Sequence, residues 1–413
     1  MLLRLVTFSA LALGLLFTSP ALSQDPAPVE PAPLDPQVPA DPAPQPDPDA
    51  DLGEPFTIAV CTPITGSAAA FGDMVARAAR LKSEQLKIAG GLRVRGTRHQ
   101  VTIAINDDRA DPDEARQVAT RLVADQSVLA VVGHFNSACT LAARDIYNEG
   151  RLVEFTPSST NPRICRGAPY TFRNLLNDSQ QAARLADHVH EVLRAKKIAV
   201  IYDNDDYGRG MMTIASERAK ELGMTVAAVP YMRERTQDFE PIVRQAMASG
   251  PTALLICGLY NEGALIARAM SDLGFDKVQM VGGDGLMSDA FIETGGKAVE
   301  GVRIMSCVLP EPAQQSDPLK EFIKAFKDAN DGKEPDIWAA LTYDALGQVL
   351  EAIRQAGLDR RRIRAQLAMQ TSERAAYHGV TGPVWFDEHG DCVSKPTTLV
   401  EVRDGAFHTR APK

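Results

Sequence analysis

From Phe56 to Gly301 the chain alternates short apolar, strand-like runs with helix-like segments almost without interruption, and this restricts the fold more than any other feature. Phe56 to Cys61, Val101 to Ile105, the run ending at Gly133 and Leu152 to Phe155 read as strands. Between them lie a helix from Phe71 to Ala89, closed by Gly90-Gly91, and a helix opened by Asp111-Pro112-Asp113-Glu114. The second start carries a cap, a proline at the first helical position and an acid three residues after the cap. A second unit follows Phe172-Arg173-Asn174, with a helix from Asp178 and strands at Ile198 to Tyr202, Thr225 to Val229, Ala253 to Cys257 and Val278 to Val281. Helices near Phe239 to Ala248 and Glu262 to Leu273 separate them. Such alternation implies parallel sheets covered by helices on both faces.

After Gly301 the rhythm changes. A strand-like run, Val302 to Leu309, leads into helices at about Leu319 to Ala329, Ile337 to Ala356 and Arg361 to Met369. Gly382 to Asp387 and Thr398 to Arg403 read as closing strands. The body is too long for one comfortable core, so two lobes are expected. Crossings between lobes are inferred near Asn174, Cys307 and Cys392, which periodicity alone does not establish. They assign 56–175 with 308–390 to an N-terminal lobe and 176–307 with 391–413 to a C-terminal lobe.

The N-terminus belongs to neither lobe. Residues 1–23 hold Arg4, the apolar run Leu5 to Phe17 and the small-residue signal Ala21-Leu22-Ser23, the pattern of a cleavable secretory peptide. No cysteine follows it, and no other apolar run is long enough to span a bilayer. Residues 24–55 carry 11 of the chain's 27 prolines and few large apolar groups, so a disordered, semi-extended tether is expected. Residues 1–55 hold eight acids and one base, a net -7 of the chain's -9. The remainder is near neutral, without the concentrated positive charge that nucleic-acid binders use.

Two turns in the first unit stand out, Gly133-His134-Phe135-Asn136-Ser137 and Thr156-Pro157-Ser158-Ser159-Thr160-Asn161-Pro162. Each follows a buried-strand pattern and places hydroxyl residues where the strand turns toward a helix, the edge at which open α/β sheets bind ligands. Unpaired N–H groups at helix starts, with Ser137, Ser158 and Thr160, form a socket for a small anion such as a carboxylate. Taken singly, each of these residues is also an ordinary helix cap. Gly282-Gly283-Asp284-Gly285 is likewise readable as a tight turn.

The order and spacing of these motifs resemble the leucine/isoleucine/valine-binding family, the substrate-binding proteins of branched-chain amino acid ABC transporters. The resemblance covers nearly all of Phe56 to Arg403. It includes Thr65-Gly66, Phe71-Gly72-Asp73, Asp107-Asp108, the two turns above, Tyr207-Gly208, Asp238-Phe239, Tyr260-Asn261-Glu262-Gly263, Gly282 to Gly285, Tyr343-Asp344-Ala345 and Gly382 to Asp387. It implies a type I periplasmic binding fold, or Venus flytrap: two doubly wound α/β lobes with parallel sheets joined by a multi-strand hinge. Ser137, Ser158 and Thr160, with Ser159 between them, fall where the family grips an α-carboxylate. Asp284 falls where an acid pairs the α-ammonium, and Tyr260 where an aromatic residue helps. Phe71, Tyr207 and Trp338 match the walls of the side-chain pocket, with Phe135 and Asn136 beside them. The acid is Asp284 where many relatives carry Glu, and Phe71 lacks the hydroxyl of a tyrosine often found there.

The implied role is an exported, periplasmic, monomeric protein that hands a small amino acid or amide to an ABC permease. The permease and its ATPase are then other chains. A soluble sensor of the same fold is the alternative. Catalysis is not expected, since G-x-S-x-G, H-E-x-x-H, Walker and G-x-G-x-x-G patterns are absent. No cofactor is called for. His188 and His190 lie two apart on a helix and so point different ways, and Asp203, Asp205 and Asp206 read as a solvated charged loop rather than a calcium site. Six cysteines in an exported chain permit disulfides. The family's familiar pairing is unavailable, because its positions hold Arg109 and Asn136. Cys139 with Cys165 and Cys307 with Cys392 are the candidate bridges, and Cys61 and Cys257 lie inside apolar strands where free thiols are common.

Overall fold

The structure is a computed structural model that describes residues 52–410. The secretory segment and most of the tether lie outside the described residues, but Leu52 to Pro55, assigned to the tether above, open the first strand. That strand, β1 (Leu52–Thr62), lies inside a six-stranded sheet with β2 (Leu92–Val94), β3 (Thr97–Asp107), β4 (Val128–Val132), β5 (Val153–Thr156) and β6 (Thr171–Arg173). Its order is β2-β3-β1-β4-β5-β6, parallel except for the β2–β3 edge. Helices α1 (Ala69–Ile88), α2 (Pro112–Ala124) and α3 (Ser137–Glu149) connect the strands.

Burial on both faces explains why the Ile58 to Cys61 part of β1 is apolar without alternating. Ile58 and Val60 join the core beneath α1, while Ala59 and Cys61 join a separate cluster beneath α2 and α3. Each fully buried aliphatic side chain contributes about 1.5–3 kcal/mol relative to exposure. Asp111 caps α2 as its sequence predicts, accepting from the amides of Asp113 and Glu114, with Pro112 at the first helical position.

The second sheet has seven strands. They are β7 (Lys197–Asp203), β8 (Thr225–Tyr231), β9 (Ala253–Cys257), β10 (Gln279–Gly282), β11 (Arg303–Ser306) and, after the small hairpin β12 (Tyr377–Gly379) and β13 (Gly382–Val384), β14 (Thr398–Arg403) and β15 (Ala406–Thr409). The order is β15-β14-β11-β10-β9-β7-β8. The first five pair in parallel, and β14 and β15 add an antiparallel edge. Helices α4 (Asp178–Glu191), α5 (Asp206–Glu221), α6 (Glu240–Met247), α7 (Tyr260–Asp272) and α8 (Asp289–Gly295) flank this sheet.

After β11 the chain returns to the first sheet. Helices α9 (Asp317–Ala329) and α10 (Ile337–Ala356) pack on α1, and α11 (Arg360–Leu367) packs on α10 and β5. A last crossing carries the chain into β14. The strand-like run Gly382 to Asp387 joins neither large sheet: Gly382–Val384 pairs with β12, and Phe386 forms an isolated antiparallel bridge with Cys392.

The cysteine pairings are corrected by the structure, in which all six thiols are free. Cys139 packs on the α2/α3 side with Cys61 and Tyr147, whereas the Cys165 thiol donates to the Gly390 carbonyl, 3.6 Å away. Cys307 donates to the Pro396 carbonyl at 3.4 Å, and Cys392 bonds Ser394 Oγ at 3.2 Å. Cys139 is thus packed in a separate cluster from Cys165, and Cys307 and Cys392 are bonded to different groups. The aspartate loop also differs from expectation. Asp203 and Asp205 are not solvated but ion-paired to Arg233, at 2.9 and 2.7 Å.

Candidate functional site

The first turn is built by a glycine that no other residue can replace. Gly133 has φ of +137°, and a Cβ there would lie 2.3 Å from the Cys61 carbonyl oxygen. Beyond it the buried His134 ring is fixed on both sides, Nδ1 2.7 Å from Asp108 Oδ2 and Nε2 3.1 Å from the Tyr147 hydroxyl. The His134 carbonyl gathers hydroxyls from Thr140, Thr156 and Ser159 at 3.1, 2.8 and 3.1 Å. Asn136 precedes α3, yet its side chain does not cap the helix and its Oδ1 is buried without a hydrogen-bond partner.

The four hydroxyl residues divide into three kinds. Ser158 donates to the Phe135 carbonyl at 2.9 Å, and Ser159 donates to the same carbonyl at 2.9 Å and to that of His134. A hydroxyl has one proton, so these two are clamps between the turns. Ser137 instead accepts from the Asn161 amide at 3.3 Å and donates to no acceptor among the described residues, whereas the Thr160 hydroxyl bonds the Asp178 carboxyl. The Ser137 proton, with the N-terminal amides of α3, can serve an anion.

Across the cleft, Asp284 starts a single helical turn after β10. One carboxylate oxygen accepts from the Tyr207 hydroxyl at 3.0 Å and the other from Gln181 Nε2 at 2.9 Å, and Gln181 Oε1 takes the Asp284 amide at 2.9 Å. Burial pushes this carboxyl up to about 6, against the pull of those two hydrogen bonds. Sequence reasoning missed its neighbour. Asp178 is fully buried at the start of α4, with the Thr160 hydroxyl as the side-chain donor to its carboxyl. Burial, then the negative charge of Asp284, raises it well above the usual carboxylate range, with Thr160 and Arg173 pulling the other way. In the sequence it reads as an ordinary acid in a first helical turn. Gln181, one turn on, gave no signal either.

The aromatic residues meet as one cluster. Phe71 stacks on Phe135 at 4.8 Å and meets Tyr260 and Trp338 edge-on at 4.9 and 5.8 Å, and Phe135 meets Trp338 at 5.3 Å. Two of these rings bridge the lobes. Tyr260, on α7, donates to the Ser67 carbonyl at 3.1 Å, and Trp338, on α10, donates to the Met287 carbonyl at 2.9 Å. Asn161 Nδ2 reaches the Asp206 carbonyl at 2.7 Å, and Ser67 reaches Glu234 at 3.2 Å. The lobes are thus in direct contact over the site. Tyr207 sits apart from the aromatic cluster, against Asp284.

The periplasmic binding protein family matches residues 55–406. A Leu/Ile/Val-binding protein homologue of Brucella suis is 30% identical over 335 residues, 81% of this chain and 86% of the relative. A leucine-binding protein of Thermotoga maritima has a similar structure, with TM-score 0.78 and 33% identity over 86% of this chain and 98% of that one. The branched-chain amino acid transporter substrate-binding protein of Streptococcus pneumoniae, solved with isoleucine, gives 0.77 at 27% identity, covering 87% of this chain and 100% of that one. With two α/β lobes closing on paired acids and a hydroxyl-bearing turn, the chain belongs to the periplasmic binding protein family, among the branched-chain amino acid substrate-binding proteins.

Proposed function

We propose that this protein captures a small amino acid between its lobes and presents it to an ABC permease whose membrane and ATPase subunits are separate chains. The observation that carries the reading is the buried Asp284 facing the turn bearing Ser137, with Asp178 as a second buried acid between Asp284 and Thr160. A zwitterion taken from water needs both charges compensated, because an unpaired buried charge costs several kcal/mol. Acids on one side and proton donors on the other meet that need together only when the cleft is shut. Ligand therefore favours the closed state, the hinge mechanism of such proteins. Micromolar affinity requires about 8 kcal/mol, within reach of two charge-assisted contacts and an aromatic pocket.

In this reading the ammonium meets Asp284 and Asp178, and the carboxylate meets Ser137 and the α3 amides beside Thr160. Phe71, Phe135, Tyr260 and Trp338 surround the side chain. Ser158 and Ser159 hold the two turns in register, Asn136 lies beside the pocket, and Tyr207 orients Asp284. The protein acts as a monomer exported to the periplasm by residues 1–23. A thermal-shift screen of amino acids, amides and aliphatic acids tests the ligand class, since only a ligand preferring the folded state raises the melting temperature. A rise with amino acids alone supports the reading. A rise with acids lacking an amine rejects it.

A further inference from the structure

Arg173, the last residue of β6, is fully buried, and its guanidinium joins three segments of the molecule. Nη1 donates to the Ser159 carbonyl at 3.0 Å and the Asn161 carbonyl at 3.1 Å, on either side of Thr160. Nε donates to Asp391, whose other carboxylate oxygen accepts from Asn177 Nδ2 at 3.2 Å. The Arg173 amide itself donates to the Gly390 carbonyl at 3.2 Å. Asn177 lies in the first crossing between the sheets and Asp391 in the last. One buried cation therefore touches the ligand-facing turn and the last crossing, and through Asp391 it is linked to Asn177 in the first.

The contact also sets the direction of a peptide. Across a trans peptide the C=O and the next N–H point opposite ways, so turning the Ser159 carbonyl toward Arg173 turns the Thr160 amide away from it. The Thr160 carbonyl meanwhile takes the amide of Asp178 at 2.8 Å. No other side chain among the described residues donates to the carbonyls of Ser159 and Asn161. Only a planar fork with several donors meets three acceptors from one position; a lysine ammonium, a compact point charge, does not.

We infer that Arg173 is a positioning residue that couples the ligand-binding turn to the hinge, so that residues 159–161 and the crossings at 174–177 and 391 move as one linked unit. This rests on the amino-acid reading of the cleft. The test uses the full chain, wild type and the variants Arg173→Lys, Asp391→Asn and their combination. Three quantities are measured: calorimetric affinity for the amino acid found by screening, ligand-induced compaction by small-angle scattering, and melting temperature without ligand.

Arg173→Lys is expected to weaken binding about thirtyfold or more and to leave the saturated protein less compact than wild type. Asp391→Asn keeps both carbonyl bonds but removes the charge and one of the two acceptors that tie Arg173 to Asn177, weakening the hinge link, with an expected loss of about tenfold. The double variant binds no more weakly than Arg173→Lys alone, as two residues in one linkage do. A merely structural role lowers the melting temperature and leaves compaction at saturation unchanged, and that result overturns the inference, as do additive losses in the double variant. If Arg173→Lys does not fold, Asp391→Asn decides: wild-type affinity and compaction overturn the inference, and loss of both supports it. A wild-type protein that binds no amino acid instead defeats the ligand reading itself.

Discussion

On the first-lobe side of the cleft, the two turns are closed by neutral hydrogen bonds from Ser158, Ser159, Thr156 and Thr140 to the carbonyls of His134 and Phe135. On the opposite side, Asp284 is buried between Gln181 and Tyr207, and Asp178, tied by its amide and its carboxyl to Thr160, adds a second buried acid. The first surface holds its two turns together without a ligand and serves as a template, with only the Ser137 proton and Asn136 Oδ1 left over. The second is short of positive charge and gains most from an ammonium. The contrast teaches that binding energy and binding geometry come from different halves of the site.

Removing the charge that the ammonium neutralises breaks this comparison most severely. Asp284→Ala is expected to weaken amino-acid binding on the order of a hundredfold, the cost of leaving a buried cation unpaired. Calorimetry showing near-unchanged affinity would remove Asp284 from the site. Asp178→Asn separates the roles of the two acids, with a smaller expected loss of about tenfold. It should also raise the melting temperature of the ligand-free protein at neutral pH, because it deletes a like-charge neighbour of Asp284. A lower melting temperature with intact affinity would make Asp178 a structural residue.

The acids also give the site a pH dependence. Asp284 must be ionised to hold an ammonium, and burial has moved its carboxyl up to about 6. Affinity is therefore full at pH 7.5 and falls by about tenfold by pH 5, where roughly one Asp284 in eleven is ionised. The ligand-free protein feels the opposite effect from this group. A carboxyl raised above its unfolded value binds protons more tightly when folded, so its contribution to stability is greatest at low pH and is lost as pH rises through 6. Affinity independent of pH between 5 and 7.5 would show that Asp284 stays ionised in the free protein.

Much of the fold was legible, because buried parallel strands and capped helices leave local signatures. Asp111 with Pro112 marks α2, and the largely apolar Phe56 to Cys61 marks a strand covered on both faces. The site was legible where residues are consecutive, as in the two turns and the aromatic positions matched by family spacing. It was obscure where function depends on the crossings. Asp178, Gln181 and Arg173 belong to a strand end and a helix start in the sequence, and only the return of the chain brings Asp284 and Asp391 beside them. The aspartate loop was misread for the same reason, since Arg233 arrives from the far end of β8.

The finest distinction lies within the first-lobe template itself. Ser137 and Ser158 are both buried hydroxyls of the two turns, yet Ser158 spends its proton on the Phe135 carbonyl and Ser137 spends none on an acceptor among the described residues. Ser137→Ala should cost a few-fold in affinity, about 1 kcal/mol for one hydrogen bond to a carboxylate, with little change in melting temperature. Ser158→Ala should do the reverse: it destabilises the ligand-free protein by about 1 kcal/mol and leaves affinity within about twofold. If both variants lose affinity equally, Ser158 must exchange its bond to Phe135 for one to the ligand. The first-lobe surface would then be an adaptable partner rather than a fixed template.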